Sequence, residues 1–295
     1  MKEMMHQIHF PFTEEQLLSH FAEVRKNGRC IKNFNHSNYY RNSIERYRKY
    51  VTANPARRGK PLKETKWPCQ LEKDERFWIA RSLMKIFYSP NRLSELIRIF
   101  RNVYGDSPPV DLDSWQKCFE GKLCLFFEPN LPSPKSYKEW LRQNLTKRHL
   151  IPYVLDSAYG KKNLEGSTNV DAILLNPENG FAVIIEAKVL SDISVQISYD
   201  VLRNQIARNI DVMLEKNECL CSPLNLRKPE RTLFLLVTPK IFKENPTSRL
   251  YGYKMNDYIS NPESIGCDLI HRNCNWKEIS KRLGWITWTD LEIEK

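Results

Sequence analysis

Three charged residues stand where an apolar hairpin has no folding use for them: Asp171, Glu186 and Lys188, within the stretch TNVDAILLNPENGFAVIIEAKV that spans residues 168–189. The stretch reads as two strands, 170–175 and 181–189, because β-branched and apolar runs flank the turn-forming cluster Asn176-Pro177-Glu178-Asn179-Gly180. Strand alternation sends Glu186 and Lys188 to one face and Ala187 to the other. Pairing through the turn then brings Asp171 beside them at the open end of the hairpin. Two carboxylates at this spacing suit Mg²⁺, which keeps several waters and takes only one or two carboxylates from a protein. An ammonium beside them can act on a metal-bound water or on charge that builds up on a phosphate under attack.

Asp171 followed across a hairpin of this length by Glu186-Ala187-Lys188 resembles the D-(x)n-ExK signature of the PD-(D/E)xK nuclease superfamily, with Val170 where the family usually has Pro. The resemblance implies an α/β fold with a restriction-endonuclease-like core and hydrolysis of phosphodiester bonds. It implies Mg²⁺, with Mn²⁺ as a substitute, held by Asp171, Glu186 and the carbonyl of Ala187, while Lys188 positions or deprotonates the attacking water. In that superfamily a helix before the first core strand often adds an acidic residue; Glu139 fits this place, with Glu165 in the loop before Asp171 as its competitor. The helix after ExK commonly adds a Gln, which fits Gln205, together with Asn209 or Arg208 one turn on. DNA is the expected substrate, RNA remains an alternative, and so does a nucleic-acid-binding subunit that keeps the fold without catalysis. The implied setting is a cytoplasmic effector of restriction or antiphage defence, working with other subunits or as a homodimer.

The elements that must position these residues can be read along the chain. Thr13 and Gln16 form a capping-box pattern ahead of an apolar stripe of Leu17, Leu18, Phe21 and Val24. Further helices are expected at 40–51, 74–88 and 90–104, so residues 1–130 read as a mainly helical amino-terminal domain, with Pro-containing linkers before a boundary near residue 130. Residues 131–295 read as the nuclease domain: a helix over 136–149, the hairpin, a long helix over 194–216, and the near-continuous apolar run RTLFLLVTP at 231–239, typical of a strand covered on both faces. A mixed, turn-rich stretch over 243–266, a short helix at 276–283 and a strand at 285–289 follow.

A hydrophobic content of 41% with 11% aromatics supplies a core; no apolar run approaches membrane-spanning length and MKEMMHQIHF lacks the apolar stretch of a signal peptide, so a soluble cytoplasmic protein is expected. Eight cysteines at wide spacing read as mostly reduced thiols. Cys219-x-Cys221 and Cys267-x3-His271-x2-Cys274 lack the C-x2-C spacing of a zinc knuckle, so the sequence alone does not point to zinc. The formal charge is +11, and residues 25–66 alone carry 13 basic against 2 acidic side chains, interleaved with aromatics. Such a surface attracts phosphates, and Arg46, Arg48, Lys49, Arg57 and Arg58 are its candidate nucleic-acid contacts. Neutralising these five together should weaken nucleic-acid binding and flatten its salt dependence by about one unit of slope for each phosphate that no longer meets a cation. Equilibrium binding titrated against salt measures this, and an unchanged slope would mean that the charge only solvates the surface.

Overall fold

The computed structural model of the chain describes residues 12–26, 29–32, 37–43, 45, 73–161, 163–194, 199–216 and 218–291. Arg46, Arg48, Lys49, Arg57 and Arg58 therefore lie outside the described residues, as does most of the helix expected over 40–51. Thr13 caps α1 (Glu14–Ser19) through the anticipated capping box with Gln16. An antiparallel hairpin of β1 (Glu23–Lys26) and β2 (Arg29–Lys32) follows, and residues 37–43 are helical. Next come α2 (Glu75–Phe87), capped by Asp74, then α3 (Arg92–Tyr104), α4 (Trp115–Phe119), β3 (Cys124–Phe127) and β4 (Asn130–Leu131). The remainder is α5 (Lys135–Arg148), α6 (Pro152–Ala158), β5 (Thr168–Asn169), β6 (Ala172–Leu175), β7 (Ala182–Ala187), α7 (Gln205–Met213), β8 (Thr232–Thr238), α8 (Lys240–Glu244), α9 (Leu250–Ser260), α10 (Glu263–Asp268), α11 (Trp276–Ser280) and β9 (Leu283–Thr287).

The fold is mixed α/β, built on a sheet of order β3-β6-β7-β8-β9. β3, β6 and β7 form an antiparallel meander, and β8 and β9 add in parallel. Every residue of β6, β7, β8 and β9 is buried, so the apolar side chains divide strictly by parity. Ala172, Leu174, Val183, Ile185, Leu233 and Leu235 face one core, shared with Phe77, Met84, Ile99 and Trp115 of α2, α3 and α4. Ile173, Leu175, Ala182, Ile184, Phe234 and Leu236 face the other, shared with Ile206 and Ile210 of α7 and with Tyr251 and Met255 of α9. A strand covered on both sides needs no polar alternation, which is why its sequence reads as an unbroken apolar run.

Several expectations are corrected. The boundary near residue 130 does not separate two cores: β3 is a strand of the central sheet, and Leu17, Phe77 and Phe100 share one apolar cluster with Leu233 and Ile286. Of the helix expected over 194–216, the described residues form only Gln205–Met213, because residues 199–204 fold irregularly around buried ionic partners described below. The turn-rich reading of 243–266 gives way to α8, α9 and part of α10. The expectation of mostly reduced cysteines stands, since Cys118, Cys124, Cys219, Cys267 and Cys274 are free, and one pair, Cys30 and Cys221, forms a disulfide with Cα atoms 5.9 Å apart.

Helix α3 crosses β9 at Gly284, where a Cβ would lie 2.6 Å from Val103 Cγ1 and would also strike the Tyr104 ring. The ring cannot swing clear, because its hydroxyl donates to the Phe234 carbonyl at 2.7 Å inside the sheet. Gly284→Ala should therefore lower stability by about 1–3 kcal/mol, the usual cost of overpacking. Urea unfolding measures it, and an unchanged midpoint would show that α3 is not seated against the strand.

Candidate active site

The end of β7 is fixed from three sides. The Glu128 N–H donates to the Asp171 carbonyl at 3.0 Å, and Ala172 pairs with Ile185, which sets Asp171 just ahead of β6 and beside the last residues of β7. Asp171 Oδ2 then accepts the Ala187 N–H at 2.7 Å. On the far side the Lys188 N–H donates to the Val237 carbonyl at 2.9 Å, and the Trp288 indole donates to the Lys188 carbonyl at 3.0 Å. Glu186 and Lys188 share the parity of Ile184, so both project toward α7.

That helix starts where the site needs it. Asn204 caps it by accepting the Ala207 N–H, which places Gln205 at the first helical position and Asn209 one turn on, on the same face. Gln205 Nε2 donates to Glu186 Oε1 at 2.6 Å, and Asn209 Nδ2 donates to Glu186 Oε2 at 2.8 Å. Lys188 Nζ takes the remaining direction, 2.6 Å from Glu186 Oε1. Glu186 is 1% exposed and its carboxylate is held by three N–H donors from two elements.

The other wall comes from early in the chain. Glu75, in the first turn of α2, brings Oε1 to 4.0 Å from Lys188 Nζ and accepts from the Ser191 hydroxyl at 3.3 Å. Arg76 lies 2.9 Å from Asp74 and 3.6 Å from Glu128, with its guanidinium 3.7 Å above the Tyr39 ring. Glu128 has φ +48, a left-handed conformation that costs a non-glycine residue about 1–3 kcal/mol and that clusters at functional sites. Together these residues line an open groove of about 360 Å³, with carboxylates from Asp74, Glu75, Glu128, Asp171 and Glu186 against the cations Arg76 and Lys188. The groove is thus acidic in a chain of net charge +11.

Burial, and after it the Glu186 charge, push the Asp171 carboxyl well above the ordinary carboxylate range, although the Lys188 ammonium and the Ala187 N–H pull it down. Burial would lower the Lys188 ammonium, but Glu186, then Asp171 and Glu75, more than offset it and hold the lysine charged beyond its usual range. Tyr40, wholly buried nearby, is driven well above its ordinary value by burial and by the Glu128 and Asp171 charges.

Asp171, Glu186, Lys188 and Gln205 are thus brought together, and Ala187 faces the opposite core. Asn209, rather than Arg208, is the second contribution of α7: Arg208 sits 3.0 Å from Glu165 instead. Glu165 is buried, accepts from Ser133, and pairs with Arg203 at 3.0 Å, so it serves the interior. Glu139 is exposed on α5 and does not line the groove. The acidic residue that an earlier helix does bring to the groove is Glu75. Neither Glu75 nor Glu128 carried a local signal; only Asp74 as a helix cap hinted that Glu75 starts a helix.

The donor set is all oxygen, which suits Mg²⁺ or Mn²⁺ and not a soft metal. Asp171 offers Oδ1, which takes no hydrogen bond among the described residues, and Glu186 Oε2, which accepts from Asn209, keeps a second lone pair, whereas Oε1 already accepts from both Gln205 and Lys188. An acid raised in the folded state adds stability below its ordinary pKa, near 4, and loses it as pH climbs through the raised value. At neutral pH Asp171 is therefore a cost in the metal-free protein. Asp171→Asn should melt higher than the parent at neutral pH, with the advantage fading toward pH 4, and Mg²⁺ should raise the melting temperature of the parent but not of the variant. A variant that melts lower throughout, in a calorimetric pH series, would contradict this account of the groove.

Comparison with protein families, with curated proteins and with solved structures finds no match for this chain.

Proposed function

We propose that the groove hydrolyses phosphodiester bonds of nucleic acid, DNA before RNA, with Mg²⁺ or Mn²⁺ bound. The observation that carries this reading is the convergence of Asp171, Glu186 and Lys188 at one acidic groove, with Gln205 and Asn209 locking Glu186 from the next helix. The element order supports it: α5, β6, β7, α7 and β8, followed by α11 and β9, runs in the order that the PD-(D/E)xK resemblance implies, with Asp171 just ahead of β6 and Glu186-Ala187-Lys188 at the end of β7. A role as an effector of restriction or antiphage defence follows from that resemblance alone.

Asp171, Glu186 and the Ala187 carbonyl would hold the cation, which when bound supplies Lewis-acid polarisation of the phosphate and a lowered pKa for its water. The chain's own residues account for the rest. The Ala187 N–H fixes the rotamer of Asp171, leaving Oδ1 toward the groove. Gln205 and Asn209 stop the Glu186 carboxylate from turning. Lys188, held charged by three carboxylates, is suited to orient the attacking water and to stabilise phosphoryl charge, rather than to remove a proton.

Supercoiled plasmid, linear duplex, single-stranded DNA and RNA, each with Mg²⁺, Mn²⁺ or EDTA, test the activity. Cleavage should require the cation. Lys188→Met, which keeps the packing volume, should bind nucleic acid and metal nearly as the parent does, while its rate falls by roughly 100- to 1,000-fold, the scale of losing one preorganised charge. Undiminished cleavage in EDTA, or a parental rate in Lys188→Met, would refute the mechanism. A folded chain that binds but cuts nothing with any metal would instead be a binding subunit.

A further inference from the structure

Outside the groove, a second cluster has ligand chemistry of a different kind. On the β1–β2 hairpin, Cys30 lies directly opposite Arg25, and Glu23, two residues from Arg25, shares that strand face. The face meets the loop after α7 at Cys221, to which Cys30 is disulfide-bonded across 191 residues of sequence. The Glu23 carboxylate and the two sulfurs all lie within 4.8 Å of one another. Cys221 is 3% exposed, whereas Cys30 and Glu23 are open to solvent. The three atoms are spaced closely enough for one metal ion to reach them all.

We propose that, once the disulfide is reduced, Cys30, Cys221 and Glu23 form a three-ligand zinc site whose fourth position is open to water. Two thiolates and one carboxylate are a zinc donor set, and thiolate softness selects zinc over the hard cation of the groove. The exchange balances simply. A dithiol gives two electrons and two protons to the Cys30–Cys221 bond and leaves as its own disulfide; zinc then displaces the two thiol protons. The same pair of sulfurs therefore ties the hairpin to the loop after α7 either covalently or through a metal, and the two states exclude each other. The proposal does not depend on the chemistry assigned to the groove.

The test uses the full chain, opened with a phosphine reductant that is then removed, and Co²⁺ as the first probe followed by Zn²⁺ competition. The reduced chain should show a thiolate-to-cobalt charge-transfer band, lose it on zinc addition, and retain one zinc per chain by mass spectrometry. The oxidised chain should bind at least 100-fold more weakly. Cys30→Ser and Cys221→Ser should abolish the band, and Glu23→Gln, an exposed change that leaves the fold alone, should weaken zinc binding at least tenfold. Asp171→Asn should keep the band intact, which separates this site from the groove. No thiolate band in the reduced parent, or zinc binding in either serine variant equal to the parent, would overturn the proposal. So would Glu23→Gln that binds zinc as the parent does.

Discussion

A carboxylate withdrawn almost completely from water, that of Glu186 at the end of a wholly buried strand, sets the terms for everything around it. Removing such a charge from solvent costs several kcal/mol unless its oxygens are met by well-placed donors. Lys188, Gln205 and Asn209 supply them from two separate elements, so α7 must begin where β7 ends. The start of α7 is in turn held by a second buried network. Arg203, wholly buried, bridges Glu165 and Asp211, and Asp211 also receives Arg272 and the His271 ring. Asp211 stays below the ordinary carboxylate range even though burial works to raise it, because the His271 hydrogen bond and the two arginines outweigh that burial. Removing one partner from such a network leaves an uncompensated interior charge, which is why the position of α7 is rigidly specified.

How much of this was legible depends on how local each cause is. The hairpin could be read because alternation, turn residues and three misplaced charges lie within twenty-odd consecutive residues. Gln205 and Asn209 could be read because a single helical turn relates them. Glu75 and Glu128 could not, since each reaches the groove from a segment whose neighbour in space is far away in sequence: α2 packs on β7, and the Glu128 N–H pairs with Asp171. Glu139 failed for a related reason. Helix α5 buries Tyr137 and Leu141 against Tyr199 and Leu164, not against the end of the sheet, so its acidic face turns outward.

The overlong helix expected over 194–216 shows propensity giving way to ionic partners. Asp200 accepts from Tyr137 at 2.8 Å, from Arg148 at 2.9 Å and from the Leu202 N–H at 3.0 Å, which commits the backbone of 199–204 to a turn. The sequence of the stretch carried no trace of that commitment, because Tyr137 and Arg148 lie on a different helix. The two-domain reading had the same weakness. Composition marks Pro-rich stretches and charge excess, but it cannot reveal that β3 is a strand of the central sheet.

That shared core has a consequence for how the polypeptide is made. Phe77 and Met84 of α2 belong to the same apolar cluster as Leu235, Ile286 and Trp288, and the Trp78 ring lies 5.4 Å from that of Trp288. On a ribosome adding about 5–20 residues per second, the carboxy-terminal partners emerge on the order of 10–40 s after α2 does. Through that interval α2 can meet Leu17 and α3, but the part of its face that packs toward Leu235, Ile286 and Trp288 stays uncovered until β8 and β9 close the sheet. The amino-terminal half therefore completes its core only when the last strands arrive, and truncation from the carboxy terminus would remove part of that core instead of releasing a separate unit.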